Sequence, residues 1–250
     1  MSRAAQTPRR RRITAHRPVR DGTGTAAARG CEPRRLLAAA ALLLAGLFAL
    51  SGETSLLAQQ QPPPPPDDPS ARTADASRQK GAEDAPVVVY EIGDFQCPYC
   101  ARFSREVFPQ LDSAYIRTGR VRWVYINFPV PSHPHAWIAA EAALCAGVVA
   151  DGFWAMHDRL YEAQDEWSSA EDPAEHFTRY AREIDLPIER HEACMRRDDV
   201  APTLIQDLMS ATSAQIRGTP TFIIDGEQSI VGVHGFEEWQ RLLDEALDGN

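Results

Sequence analysis

Long apolar runs are nearly absent from this 250-residue chain. Only residues 36–50 form one, an uncharged stretch of 15 that falls short of the ~20 residues of a comfortable membrane span. Cysteine is scarce, five residues in all, and none follows that run, so no cysteine is placed for lipid attachment. No internal repeat is found, which excludes a solenoid or array. Positive charge is sparse beyond the start of the chain. Residues 1–58 hold ten arginines against three acids, and without them the formal charge goes from −9 to −16. Such an acidic remainder is a poor candidate for binding nucleic acid or anionic membrane surfaces, and no nucleic-acid partner is expected.

What is present falls into three parts. Arginine-rich residues 1–35 followed by the apolar run read as an N-terminal export signal, residues 1–58, with cleavage near Ser51 or Ala58; an uncleaved membrane anchor is the alternative. Residues 59–85 begin with three glutamines and five prolines, have almost no large apolar side chains, and read as a Pro-rich disordered linker. Residues 86–250 have the size of one domain.

Within that domain, Phe95-Gln96-Cys97-Pro98-Tyr99-Cys100 follows the apolar run Val87-Val88-Val89-Tyr90, so a dithiol stands where a strand hands over to a helix. Two cysteines three apart close a disulfide in a tight turn, which makes the bond reducible and suited to exchange. Pro98 suits the first helical position, and Cys97 then faces the unpaired amides of a helix expected over residues 100–118. A thiolate is favoured there, and the thiolate is the nucleophile. Cys31 lies in the signal; with Cys97 and Cys100 paired for function, Cys145 and Cys194 remain as a structural disulfide, or as two buried free thiols.

Apolar spacing predicts strands at 87–93 and 121–127, helices at 136–149, 152–164, 173–184, 187–195 and 199–216, a hairpin of 221–224 with 229–232 around Asp225-Gly226, and a closing helix at 237–247. His133-Pro134-His135 reads as a turn more readily than as a metal site, having no third ligand nearby. Trp137, Phe153, Trp154 and Trp167 read as core or groove lining, and His157 and His234 as structural or surface residues.

Four stretches carry a resemblance that covers residues 81–250: 89–100 with its Cys-Pro-Tyr-Cys box, Asn127-Phe128-Pro129 through His133-Pro134-His135-Ala136, Phe153-Trp154-Ala155-Met156-His157-Asp158, and Gly218-Thr219-Pro220-Thr221-Phe222. The chain resembles the DsbA-like family of exported thiol:disulfide oxidoreductases. That resemblance implies an α/β, thioredoxin-like fold with a central mixed β-sheet and an inserted α-helical domain at about 130–216. It implies a cis Pro220 facing Cys97, with Thr219 exposing its backbone to a substrate strand. Glu91 matches the family's buried acid and would carry protons to and from Cys100. Pro98 and Tyr99, between the cysteines, would contact the substrate together with Thr219 and tune the Cys97 thiolate.

The implied catalysis uses Cys97, Cys100, Pro220 and Glu91, with no metal and no cofactor beyond the Cys97–Cys100 disulfide. The implied partners are unfolded or reduced exported proteins and a membrane or soluble redox partner that resets the dithiol. A monomer in the periplasm, or elsewhere in a bacterial envelope, is expected. Disulfide formation is favoured over reduction or isomerisation by the same fold. A non-enzymatic metal carrier is the alternative from another class, and a glutaredoxin is disfavoured by the export signal and the long stretch between Cys100 and Pro220.

Overall fold

The computed structural model describes residues 68–249, so the export segment and the first part of the linker lie outside the described residues. Five strands form one mixed sheet in the order β1-β3-β2-β4-β5. They are β1 (Gln79–Lys80), β2 (Val87–Gly93), β3 (Val121–Asn127), β4 (Thr221–Ile224) and β5 (Gln228–Val231). β2 and β3 run parallel, in register from Val87 opposite Val121 to Gly93 opposite Asn127, and the other pairs are antiparallel.

A parallel pair needs a crossover, and here α2 (Pro98–Glu106), α3 (Phe108–Leu111) and a π-turn (Asp112–Ile116) make it. One continuous helix over 100–118 was expected. The break at Val107 has a local cause: Pro109 has no N–H for the Arg105 carbonyl and its ring crowds that oxygen, so the chain restarts with Pro109 in the first turn of α3. The hairpin follows the Asp225-Gly226 signal: residues 225–227 form its loop, Asp225 and Gly226 both have positive φ, and Ile224 pairs with Gln228 across it.

Between β3 and β4 lie α4 (Ala136–Ala150), α5 (Phe153–Glu162), α6 (Gln164–Trp167), α7 (Ala174–Glu183), α8 (Ile188–Arg196) and α9 (Ala201–Ser213), and α10 (Phe236–Gly249) closes the chain. α4 is buried on nearly every side, and its alanines let neighbouring helices approach closely. The α9 segment is shorter than expected because Pro202 sets its first turn, and a left-handed Gln215 follows its end. Two cores result. One packs Phe103, Trp123, Phe222 and Trp239 between the sheet, α2 and α10; the other fills the helical insertion and reaches Phe95, Cys97 and Cys100.

The linker expectation is corrected from residue 69 onward. Residues 69–77 form α1 (Pro69–Ser77), capped by the Asp68 carboxylate, which accepts from the Ser70 and Ala71 N–H groups at 2.7 and 3.3 Å. Its buried face is Ala71, Ala74 and Ser77. That face seats on α4 at Gly147, where even a methyl group would collide with Ser77. A low content of large apolar residues therefore did not mean disorder: small side chains suffice against an alanine-rich partner. β1 then extends the sheet, and buried Arg78 pairs with Asp75 and Asp207.

Candidate active site

β2 ends at Gly93 and delivers a turn, residues 94–97, to the N-terminus of α2. Cys97 is the helix cap (φ −73°, ψ 122°), Pro98 opens the helix, and the Ala101 N–H donates to the Cys97 carbonyl at 3.1 Å. Both thiols are free, Cys97 nearly buried at 4 % exposure and Cys100 fully buried, while Tyr99 between them is 59 % exposed.

The two thiols are unequal. As a thiolate, Cys97 accepts from the Cys100 S–H, the largest influence, and from the Thr219 side chain and the backbone N–H groups of Cys100 and Tyr99. These outweigh burial and bring its pKa from the usual 9.0 to about 6. Burial pushes Cys100 well above the usual thiol value, and its bond to Cys97 pushes it further. A stable thiolate at the rim and a neutral thiol beneath it are what disulfide exchange requires.

The other expected residues converge on this pair. The Thr219–Pro220 bond is cis, and the Sγ of Cys97 lies 3.3 Å from the Thr219 carbonyl oxygen. Glu91, 1 % exposed in β2, accepts from the Trp123 indole N–H at 2.8 Å, while its other oxygen has no partner among the described residues. Burial raises its pKa to about 8 despite the Trp123 bond, and its charge is felt at Cys100. Cys145 and Cys194 lie elsewhere, bonded to each other at 1.99 Å between α4 and α8.

His133 and His135 sit in the turn before α4, His133 against Asp94 at 2.8 Å and His135 on the Ala170 carbonyl at 2.9 Å. Phe153 and Trp167 are fully buried; Trp154 is half-buried and donates to the Gln79 carbonyl at 3.1 Å. His157 is buried among aromatic rings, whereas His234 bonds the Val231 carbonyl at the surface.

Sequence reasoning missed the polar residues that hold the 94–97 turn. Asp94 accepts from the N–H groups of Gln96 and Val130 at 2.7 and 2.8 Å, and Gln164 of α6 donates to two carbonyls of the turn. Asp94 and Gln96 stand beside the Cys-Pro-Tyr-Cys box and were within sight of it. Gln164 lies 67 residues beyond Cys97 and gave no signal.

A family model described as Thioredoxin matches residues 73–245. The chain belongs to the thioredoxin family. Among curated proteins it is 27% identical over 171 residues to a probable disulfide bond formation protein D of Bacillus anthracis, covering 67% of this chain and 76% of that one. It is 34% identical over 155 residues to a Na(+)/H(+) antiporter, NhaA 3, of Salinispora tropica, covering 62% of this chain but only 22% of the antiporter, so the chain spans about a fifth of that protein's length. The crystal structure of oxidised BdbD from Bacillus subtilis superposes with a TM-score of 0.62 at 24% identity, over 68% of this chain and 92% of that one, a likeness of fold. The family match begins at residue 73, inside α1, in keeping with a domain that starts before residue 81.

Proposed function

We propose that this chain is an exported thiol:disulfide oxidoreductase that forms disulfides in envelope or secreted proteins through Cys97 and Cys100. The observation that carries the reading is the inequality of the two thiols: Cys97 titrates near 6 beside cis Pro220, and Cys100 is held neutral beneath it. Stabilising the Cys97 thiolate stabilises the reduced protein, so the oxidised protein gives its disulfide away readily. The name of the Bacillus anthracis relative agrees with this direction. The antiporter name is not carried over, since the matched part is about a fifth of that protein.

In the oxidised protein a substrate thiolate attacks the Cys97 sulfur. The Cys97–Cys100 bond breaks, a substrate–Cys97 disulfide forms, and Cys100 leaves and takes a proton, which Glu91 supplies. A second substrate thiolate then attacks the substrate sulfur of the mixed disulfide, and Cys97 leaves as its stabilised thiolate. Two substrate thiols have become one disulfide and the protein has become a dithiol. A membrane or soluble redox partner takes the two electrons and restores it. The Thr219 backbone offers the substrate chain a strand to pair with. Pro98 sets the helix start, and Tyr99 meets the substrate at the surface.

The test is the reduction potential of the full domain, residues 68–250, equilibrated against glutathione buffers. A potential near about −120 mV supports disulfide donation; one near about −230 mV or below assigns reduction or isomerisation instead. Absence of any exchange favours the metal carrier.

A further inference from the structure

The turn that presents Cys97 does not stand on the thioredoxin sheet alone. The side-chain amide of Gln164 donates to the Phe95 carbonyl at 2.6 Å and to the Cys97 carbonyl at 3.0 Å, so both of its N–H groups are spent on this turn. Gln164 is 4 % exposed and opens α6 immediately after the kink at Ala163. Its mount is stiff: Trp167, fully buried in the same helical turn, donates to the Leu160 carbonyl at 2.9 Å and packs edge-on against Phe177. A second glutamine answers from the other side. Gln96 donates to the Ser168 carbonyl at 2.8 Å and accepts from the His135 N–H at 2.7 Å.

We infer that Gln164, carried by the helical insertion, is a positioning residue for Cys97, holding its sulfur at the α2 amides so that the thiolate is stabilised. The inference rests on the exchange reading of the Cys97–Cys100 pair and adds a part to it. The Phe95 carbonyl has no other partner described, and burying it unpaired is costly, so without the Gln164 amide the turn must rotate to find one. Cys97 sits in that turn, and the Tyr99 and Cys100 N–H groups and the Thr219 side chain can favour its thiolate only while the cap holds its extended ψ. The amide's positive end at the Cys97 carbonyl also favours negative charge on the same residue. Because the donor comes from the insertion, a shift of α6 against the sheet alters the thiolate, a coupling that the thioredoxin core by itself lacks.

The test compares Gln164→Met, of similar length and without a donor, with the unaltered protein in two measurements: the ultraviolet titration of the Cys97 thiolate and the equilibrium with glutathione. Expected are an upward shift of the thiolate midpoint and a roughly tenfold shift of the equilibrium toward the oxidised protein, equivalent to ~30 mV in the reducing direction. A folded variant with an unchanged midpoint and an unchanged equilibrium overturns the inference, because a merely structural glutamine lowers the unfolding midpoint and moves neither. Should Gln164→Met not fold, Gln164→Ala, which also lacks the donor and brings in no charge, is held to the same two outcomes. The titration requires no exchange activity. If the unaltered protein fails to exchange with glutathione, the oxidoreductase reading falls while the positioning of Cys97 is still decided by the midpoint.

Discussion

The sulfur of Cys97 lies 3.3 Å from the carbonyl oxygen of Thr219, the residue on the N-terminal side of the cis bond to Pro220. The thiol can donate to that oxygen; the thiolate turns instead to the Cys100 S–H and to N–H donors at the start of α2. One sulfur thus has a separate set of partners for each protonation state, and its pKa near 6 places the exchange between them below neutrality.

The reduction potential should therefore change its slope with pH. Below about pH 6, two protons accompany the two electrons of reduction and the potential falls by ~59 mV per pH unit; between about 6 and 9 the Cys97 thiolate takes none, and the slope halves to ~30 mV. A potential–pH series in glutathione buffers measures this. A single steep slope across neutrality would mean that Cys97 is an ordinary thiol.

Given a disulfide-bonded substrate, which the Cys97 thiolate attacks in the reverse direction, Cys100→Ser should leave the substrate on Cys97 as a stable mixed disulfide, whereas Cys97→Ser should give none. The trapped species is read as a shift in mass that reductant reverses. Trapping on Cys97→Ser instead would reverse the assignment of nucleophile and resolving thiol.

Glu91 ties the site to the stability of the fold. Burial raises its pKa to about 8, against 4.5 for an ordinary glutamate, so the folded chain holds that proton where the unfolded chain has lost it. Stability therefore falls as pH rises from about 4.5 to about 8. Glu91→Gln keeps an acceptor for the Trp123 indole and cannot ionise, so it should be close to neutral near pH 4.5 and stabilising near pH 8, on the order of a few kcal/mol. Urea unfolding at the two pH values measures the difference. In the same variant, the step in which Cys100 leaves and takes its proton, and its reverse in which Cys100 resolves the mixed disulfide, should slow near neutral pH, and an unaltered pH–rate profile would remove Glu91 from proton transfer.

The Cys145–Cys194 bond joins residues 49 apart, and chain-entropy reasoning gives it ~4 kcal/mol of stability. It joins α4 to α8 and does not touch the Cys97 thiolate. Replacing both cysteines by Ala should lower the denaturant midpoint and leave the potential of the Cys97–Cys100 pair in place. A change in that potential would make the second disulfide part of the redox site.

How much of this was legible depended on the reach of each signal. β2 and β3 were read with correct bounds because Val87-Val88-Val89 and, apart from Arg122, Val121 to Ile126 are β-branched and aromatic runs whose signal is local. The dithiol and cis Pro220 were likewise legible, the first from spacing and the second through a resemblance of motif. The α1 helix was not, because its buried face is alanine and serine and its partner is an alanine-rich helix nearly seventy residues away. The break in the α2 region was in view at Pro109, but the apolar spacing on both sides of it read through. Gln164 was beyond reach: a lone glutamine in a helical stretch gains meaning only when the fold brings it to the carbonyls of Phe95 and Cys97.

The carboxylate of Asp207, 2 % exposed in α9, accepts from the Asn127 backbone N–H at 2.9 Å and its side-chain amide at 3.0 Å, and takes its compensating charge from Arg78. A chain that begins at Gly81, where the family resemblance read from the sequence begins, lacks α1, β1 and Arg78 and leaves that carboxylate buried without a cation. Breaking a buried pair from one side costs about 3–5 kcal/mol, because the remaining charge stays out of water. Arg78→Ala isolates this effect with α1 retained and should lower the unfolding midpoint severely. Asp207→Asn in the same background removes the stranded charge while keeping an acceptor for Asn127, and should recover part of the loss. If Arg78→Ala unfolds at the midpoint of the unaltered chain, the pair is not what fastens α1 to the domain, and the alanine contact with α4 carries that role alone.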